Sequence, residues 1–449
     1  MHSECVNGMC FPFLNDSVRK SFKRLPTTTE WGRFRKYARR MRVLTERGSL
    51  DALSWEVFSV LQPRTINDLL LPNLNTLSLS RIKESFIPFI SLFLSPRIIS
   101  IFLTFSVSDR LKPVVASIVT ILPTLCPNLQ EVSLPLLPKD PMITAAVSEM
   151  VLATNRNTLK KLDVGSPLTE EASEVVYKLP NLSNLSVVIE RQTSLPSVTV
   201  SLPNLIELEI ICDDESSWAR LFYGETLGKL ESVTFFPQSE GPGDLLGAFE
   251  MVVLSTSVRN TLSKFHVSTS RSWNPNYPSL LQFTQLVDLA IEFSCDNGCS
   301  SRVDDNIVIS LSRAMPKLRS LKLGDRPCWK STTGVTVKGL VALALHCPDL
   351  QHLRIHFQVT SFSASPASPV IPCNAESTSW TDCGLTELVV GEMPVLEELV
   401  LMVALTLLQI FPRIESIYFL DEGWRKVEDA IYLSKRIIGC SSKHPLTTS

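Results

Sequence analysis

Pro316-Lys317-Leu318-Arg319-Ser320-Leu321-Lys322-Leu323 returns further along the chain as Pro348-Asp349-Leu350-Gln351-His352-Leu353-Arg354-Ile355, and the spacing of its apolar residues decides the fold. The last two apolar positions of each stretch are two apart, the period of a β-strand. Both therefore point to one face, and the residues between and beside them point to the other. The proline two residues ahead of the first apolar position cannot continue a helix and biases its predecessor toward extended backbone. It marks the place where a helix gives way to a strand.

The same unit recurs along most of the 449 residues. With Ile, Val and Phe accepted for Leu, its first position falls at Leu74, Ile98, Leu129, Leu159, Leu182, Leu205, Leu230, Leu262, Leu286, Leu318, Leu350, Leu385 and Ile414. The mean interval is about 28 residues, within the range of leucine-rich repeats. Proline precedes the unit in eight of the thirteen cases. One unit alone leaves its Leu row in water, and at roughly 1.5 to 3 kcal/mol per buried large side chain the stability has to come from stacking on neighbours. The expectation is an α/β leucine-rich-repeat solenoid, an irregular horseshoe with a parallel inner sheet and outer helices. The Asn usual just beyond the strand in many such repeats is absent, with Ile82, Asp213, Arg326 and Gln358 in its place, which predicts poorer regularity. Longer intervals predict helices over Pro113–Leu125, Pro141–Ala153, Asp244–Thr256, Asp304–Ala314 and Val335–His346, each with apolar residues at helical spacing. The short interval from Leu182 to Leu205 has room only for a turn or an extended crossing.

Strand alternation also nominates a surface. The outward residues of the middle and later units are Glu207 and Glu209; Ser232, Thr234 and Phe236; Lys264 and His266; Asp288 and Glu292; Lys322; His352, Arg354 and His356; and Tyr418. Acidic and basic strands interleave, which suits a mixed-charge protein partner better than a phosphate backbone, since the latter wants a continuous basic stripe. Read residue by residue, the same positions are equally well explained as solvated strand residues.

Charge is uneven along the chain. The net charge is −2, yet residues 19 to 47 carry eleven Lys/Arg against Glu30 and Glu46. Thr27-Thr28-Thr29-Glu30 has capping-box spacing, and Trp31, Phe34, Ala38, Met41 and Leu44 follow at helical intervals among Arg33, Arg35, Lys36, Arg39, Arg40 and Arg42. This predicts a basic amphipathic helix, read either as a nuclear-import or nucleic-acid patch or as a solvated face over a stripe that caps the first repeat. The domain plan is a helical cap over 1–60, a solenoid over 61–420, a capping helix over 421–438 and a disordered tail over 439–449. Within the solenoid, residues 358–382 are rich in Ser, Thr and Pro and predict a protruding loop, with Ser365-Pro366 and Ser368-Pro369 as candidate phosphorylation sites. Pro394–Phe411 and Val427–Ile438 are expected to be helical.

Eleven scattered cysteines fit a reducing compartment, and the N-terminus has no secretory pattern. No apolar stretch reaches the roughly 20 residues of a membrane span. Cytoplasm or nucleus, without a membrane partner, is the expected location. Cys126 and Cys347 directly precede repeat prolines and read as small buried residues. Cys5/Cys10 and Cys295/Cys299 lack second pairs or a nearby His, so no metal or other cofactor is expected. The chain has no GxSxG, GxxxxGK[ST] or HExxH motif, and no enzymatic role is expected.

Glu30-Trp-Gly-Arg-Phe-Arg-Lys-Tyr-Ala-Arg-Arg-Met-Arg-Val-Leu44, Leu71-Pro-Asn-Leu74, Leu92-Phe-Leu-Ser-Pro96, Asp421-Glu-Gly-Trp424 and Val427-Glu-Asp-Ala-Ile431 together resemble fungal, basidiomycete-type F-box leucine-rich-repeat proteins. The resemblance implies a substrate-recognition subunit of a Skp-cullin-F-box ubiquitin ligase, with the F-box on the Skp adaptor and the repeats on the substrate. Ahead of Trp31 only Leu25-Pro26 is a candidate F-box start, and no F-box is recognisable there. A truncated product, a paralogue without the module, and a repeat protein outside the ligase all remain open.

Overall fold

The computed structural model describes residues 27–45, 69–106, 108–135, 137–190, 200–212, 227–237, 256–269, 277–293, 303–324, 334–359, 383–390, 395–419 and 422–441. The predicted 358–382 loop, the bulk of the Asp244–Thr256 helix and all four candidate metal-site cysteines fall largely or wholly outside them. The chain divides into two units, residues 1–188 and 189–449, and each is an α/β solenoid built of parallel strands.

In the first unit, helix α1 (Thr28–Ala38) leads to strand β1 (Val43–Thr45). Strands β2 (Thr76–Ile82), β3 (Ser100–Phe105), β4 (Glu131–Leu134), β5 (Lys161–Pro167) and β6 (Asn184–Ile189) follow, each parallel to its predecessor. Helices α2 (Lys112–Leu125), α3 (Pro141–Ala153) and α4 (Glu170–Val176) lie between the later strands, and a 3-10 helix spans Ile87–Phe93. The register slips between Leu79 and Ile82, where Arg81 takes a φ of 52°, and again between Asp163 and Pro167. At the second irregularity Gly165 runs so close to its neighbour that a Cβ would meet the Pro135 carbonyl oxygen at 2.1 Å.

In the second unit β7 (Glu207–Cys212), β8 (Ser232–Pro237), β9 (Lys264–Thr269), β10 (Asp288–Phe293), β11 (Ser320–Leu323), β12 (His352–Ile355), β13 (Glu387–Val389) and β14 (Ser416–Tyr418) pair in chain order, all parallel. The helices are α5 (Thr256–Thr261), α6 (Tyr277–Leu280), α7 (Asp305–Ala314), α8 (Val337–His346), α9 (Val400–Ile410) and α10 (Glu422–Ser441). Among the described residues the interval from Leu182 to Leu205 holds no helix.

Every one of the thirteen first-position residues is at most 2% exposed, and each strand from β2 to β14 starts two residues after one of them. Residue two supplies the connection in the units from Asn75 to Lys160 and from Ile206 to Thr386. Its carbonyl accepts the next two strand-entry N–H groups, as Arg319 O does from Gln351 and His352 (2.8 and 3.0 Å) and Thr386 O does from Glu415 and Ser416 (2.8 and 3.1 Å). The Leu row thus buries itself while the main chain links repeat to repeat.

The prolines act as expected. Helices α2, α7, α8 and α9 end on Cys126, Met315, Cys347 and Phe411, each immediately before a repeat proline. All four residues share φ between −128° and −121° and ψ between 65° and 77°. Their N–H groups bond the carbonyls of Leu122, Leu311, Leu343 and Leu407, and their side chains are fully buried. Burial pushes the Cys126 thiol up to about 11 and the Cys347 thiol up to about 12, so neither is a thiolate at neutral pH.

Consecutive helices are latched by side chains. Asp305, in the first turn of α7, accepts from Thr336 N (2.8 Å), Thr336 Oγ1 (2.7 Å) and Gly339 N (3.0 Å) at the start of α8. Gly339 permits the approach, since a Cβ there would sit 2.7 Å from the carboxylate.

The N-terminal segment corrects one expectation. The capping box forms, with Glu30 N on Thr27 Oγ1 at 3.3 Å and Thr27 N on Glu30 Oε2 at 2.8 Å, but α1 stops at Ala38. Met41 and Leu44 do not extend it. The chain enters β1 instead, because Asn75 and Thr76 N–H groups bond Arg42 O (2.7 and 3.1 Å) and Leu44 pairs with Leu77. At the other end α10 continues three residues past Ile438, to Ser441. Pro394–Phe411 resolves into a 3-10 turn at Glu397–Leu399 followed by α9. No described helix is long and apolar enough to cross a membrane.

Candidate functional site: the outward strand face of the second unit

Parallel register brings the nominated residues of β7 to β14 into rows across the strands. One row runs Glu207, Ser232, Lys264, Asp288, Ser320, His352, Glu387 and Ser416; the next runs Glu209, Thr234, His266, Ala290, Lys322, Arg354, Val389 and Tyr418. Side chains in each row are direct cross-strand neighbours. Glu207, Lys264, His352 and Tyr418 are exposed, while Glu209, Phe236, His266, Asp288, Glu292, Lys322 and Arg354 are half-buried.

Two polar contacts organise the face. Arg354 on β12 reaches across β11 to β10, placing Nη1 3.3 Å from Glu292 Oε1, and His266 Nε2 on β9 stands 3.5 Å from Glu292 Oε2. Glu292 therefore draws in groups from two other strands, β9 and β12. The residue following Leu323 is Gly324, at φ 92°, and its N–H bonds Ile291 O at 2.8 Å. Its left-handed backbone is one that glycine adopts without strain. The approach of the His266 ring, together with the Arg354 and Lys322 charges, holds the Glu292 carboxyl below its ordinary range despite partial burial. The Phe236 ring meets the His266 ring edge-on at 5.9 Å.

The second contact is His352 Nδ1 to Glu387 Oε2 at 2.9 Å, between paired residues of β12 and β13. Glu387 was not among the sequence candidates. It lies two residues after Leu385, the offset that places Lys264, Asp288 and His352 on the face, so the signal was present.

His356 departs from its expected place on an exposed strand. β12 ends at Ile355, and His356 lies one residue beyond it, half-buried. Burial pulls its imidazole down to about 4, which keeps it neutral at physiological pH.

Among the described residues no group of three His, Cys, Asp or Glu side chains is placed to hold a metal ion. What the face offers is a row of alternating charge with an aromatic at either side, Phe236 and Tyr418, on a parallel sheet. In comparisons with known proteins, the sequence matches no family model and no curated protein. The face itself therefore carries the functional argument.

Proposed function

We propose that the protein is a non-catalytic leucine-rich-repeat receptor whose outward strand face, from β7 to β14, binds a protein partner of mixed charge. One observation carries this reading. Glu292 and Arg354 are tied together across β11 with His266 beside them, so two opposite charges are already positioned and partly desolvated before a partner arrives. Pre-set charges of this kind lose little side-chain entropy on binding and favour specificity. In the cell we place the protein in the cytoplasm or nucleus. Following the sequence resemblance, its role is substrate recognition for a Skp-cullin-F-box ubiquitin ligase, or a derivative of that role without the F-box.

The test is affinity purification of the tagged chain from its native host, beside the variants R354E and E292K. Copurified partners, with the Skp adaptor among them if the ligase role holds, should fall at least tenfold with either variant. Equal recovery on wild type and both variants would remove the face from the proposal.

A second reading has an observation of its own. Arg33, Lys36, Arg39, Arg40 and Arg42 are exposed on and just after α1, which supports nucleic-acid contact through the phosphate backbone. It predicts salt-sensitive binding of duplex or single-stranded DNA or RNA that is lost on reversing Arg35, Arg39 and Arg40 to Glu. Binding that survives the reversal rules it out.

A further inference from the structure

Each strand entry from β2 to β6, and from β8 to β14 in the second unit, is satisfied by main-chain bonds to the unit before it, but β14 has no described strand beyond it. Two side chains of α10 reach main-chain groups on the side of the last unit where a following repeat would lie. The Glu428 carboxylate accepts from Ile417 N at 3.1 Å, taking the place of a neighbouring strand's carbonyl. The Lys435 ammonium donates to Ile414 O, a first-position carbonyl of the kind that elsewhere receives a hydroxyl of the next repeat, as Leu74 O does from Ser95 Oγ at 3.3 Å and Leu129 O from Thr158 Oγ1 at 2.9 Å. The two lie seven residues apart, two helical turns, so both fall on the same α10 face as buried Trp424, Val427 and Ile431. Burial pulls the Lys435 ammonium down while Glu415 holds it up.

The helix covers the edge loosely. Between it and β14 lies a groove of about 430 Å³ lined by Ile414, Glu415, Ile417, Glu428, Tyr432 and Lys435, among others. The main chain of β14 is thus held by two side-chain contacts at the margin of an open groove rather than by a packed wall. An uncovered strand edge is a template for another strand.

We infer that α10 is a plug over a strand-docking edge, and that with its two polar contacts removed β14 pairs in parallel with β1 of a second copy of this chain. The choice of occupant follows from the backbone and from charge. β1 is the one strand whose preceding neighbour is missing among the described residues, and its unit follows the common pattern, with the Arg42 carbonyl already receiving the next two N–H groups. Exposed Arg39, Arg40 and Arg42 flank β1, whereas Glu415, Glu428 and Asp429 flank β14. The contact is head-to-tail, so it would extend into open assemblies rather than close a dimer.

The experiment compares the full-length wild type with E428A/K435M by light-scattering chromatography over a hundredfold range of concentration, and follows hydrogen exchange at the Ile417 amide. The wild type is expected to be monomeric, with that amide protected. The variant should associate as concentration rises, and its Ile417 amide, exposed at low concentration, should regain protection in the assembled fraction. Adding R40E should weaken the association by about tenfold, the scale of 1.4 kcal/mol. A variant that stays monomeric throughout overturns the inference, and so does association in which the Ile417 amide still exchanges freely. Should E428A/K435M lose the wild-type helical signal, E428A alone carries the same comparison, because it frees the Ile417 amide and leaves the Lys435 side chain in place.

Discussion

Replacing Asp305 with Ala should unlatch α8 from α7. The carboxylate accepts three hydrogen bonds from the neighbouring repeat, two of them from main-chain N–H groups at the start of α8. A hydrogen bond to a charged group contributes about 1.5 to 3 kcal/mol. The three share one half-buried carboxylate and are not additive, so about 3 kcal/mol is expected for Ala. Asn keeps one acceptor oxygen and should lose roughly half of that. The loss is local, because in a solenoid each repeat contacts mainly its neighbours. Hydrogen exchange by mass spectrometry on peptides covering 334–346 should therefore accelerate by roughly 100-fold in D305A, two factors of ten for 3 kcal/mol. Peptides of α2 in the first unit should be unchanged and serve as the internal reference. Exchange of α8 within twofold of wild type would show that the latch holds nothing, and the reasoning would fail.

Three further outcomes follow from the packing and the charges. L353A removes a side chain that is 1% exposed, and should lower stability to chemical denaturation by about 2 to 5 kcal/mol, with a cavity bound between β11 and β13. G165A drives a Cβ into the Pro135 carbonyl; the strand has to shift, and a folded yield equal to wild type with unchanged β5 exchange would contradict the close approach. His356 falls from its ordinary 6.5 to about 4 on folding, so the unfolded chain takes up its proton first. Stability from this group is complete above pH 6.5 and is lost as pH falls toward 4, by about 2 kcal/mol after allowance for partial solvent exposure. H356F should flatten that part of the stability profile measured from pH 7.5 to 4.5, and a profile parallel to wild type would refute the assignment.

The strands were legible because one signal repeats with a fixed offset. A buried Leu or Ile two residues ahead of each strand sets where pairing begins, and burial leaves it no alternative register. β1 escaped because Glu46 stands where its second strand leucine would be, while Met41 and Leu44 are also compatible with a helix. Pairing with β2 decided between the two, a tertiary override of local pattern. The site divides in the same way. Alternation found the outward residues of the face, since a strand allows only two directions for a side chain. It could not find the Arg354–Glu292 bridge, which joins β12 to β10 across the strand between them. Nor could it place His356, because where a strand stops is set by its partner's hydrogen bonds rather than by its own sequence.

The four pre-proline corners share one backbone geometry while their side chains range from cysteine to phenylalanine. The corner is thus written in the main chain and the proline, and whatever precedes it only has to be apolar. Residues gained or lost in the preceding interval, which runs from 23 to 35 residues between units, are absorbed before the corner and never reach the strand. A lineage can lengthen, shorten or rewrite the back of a repeat without rotating a single residue of the front, so the two sides of the molecule are free to evolve at different speeds.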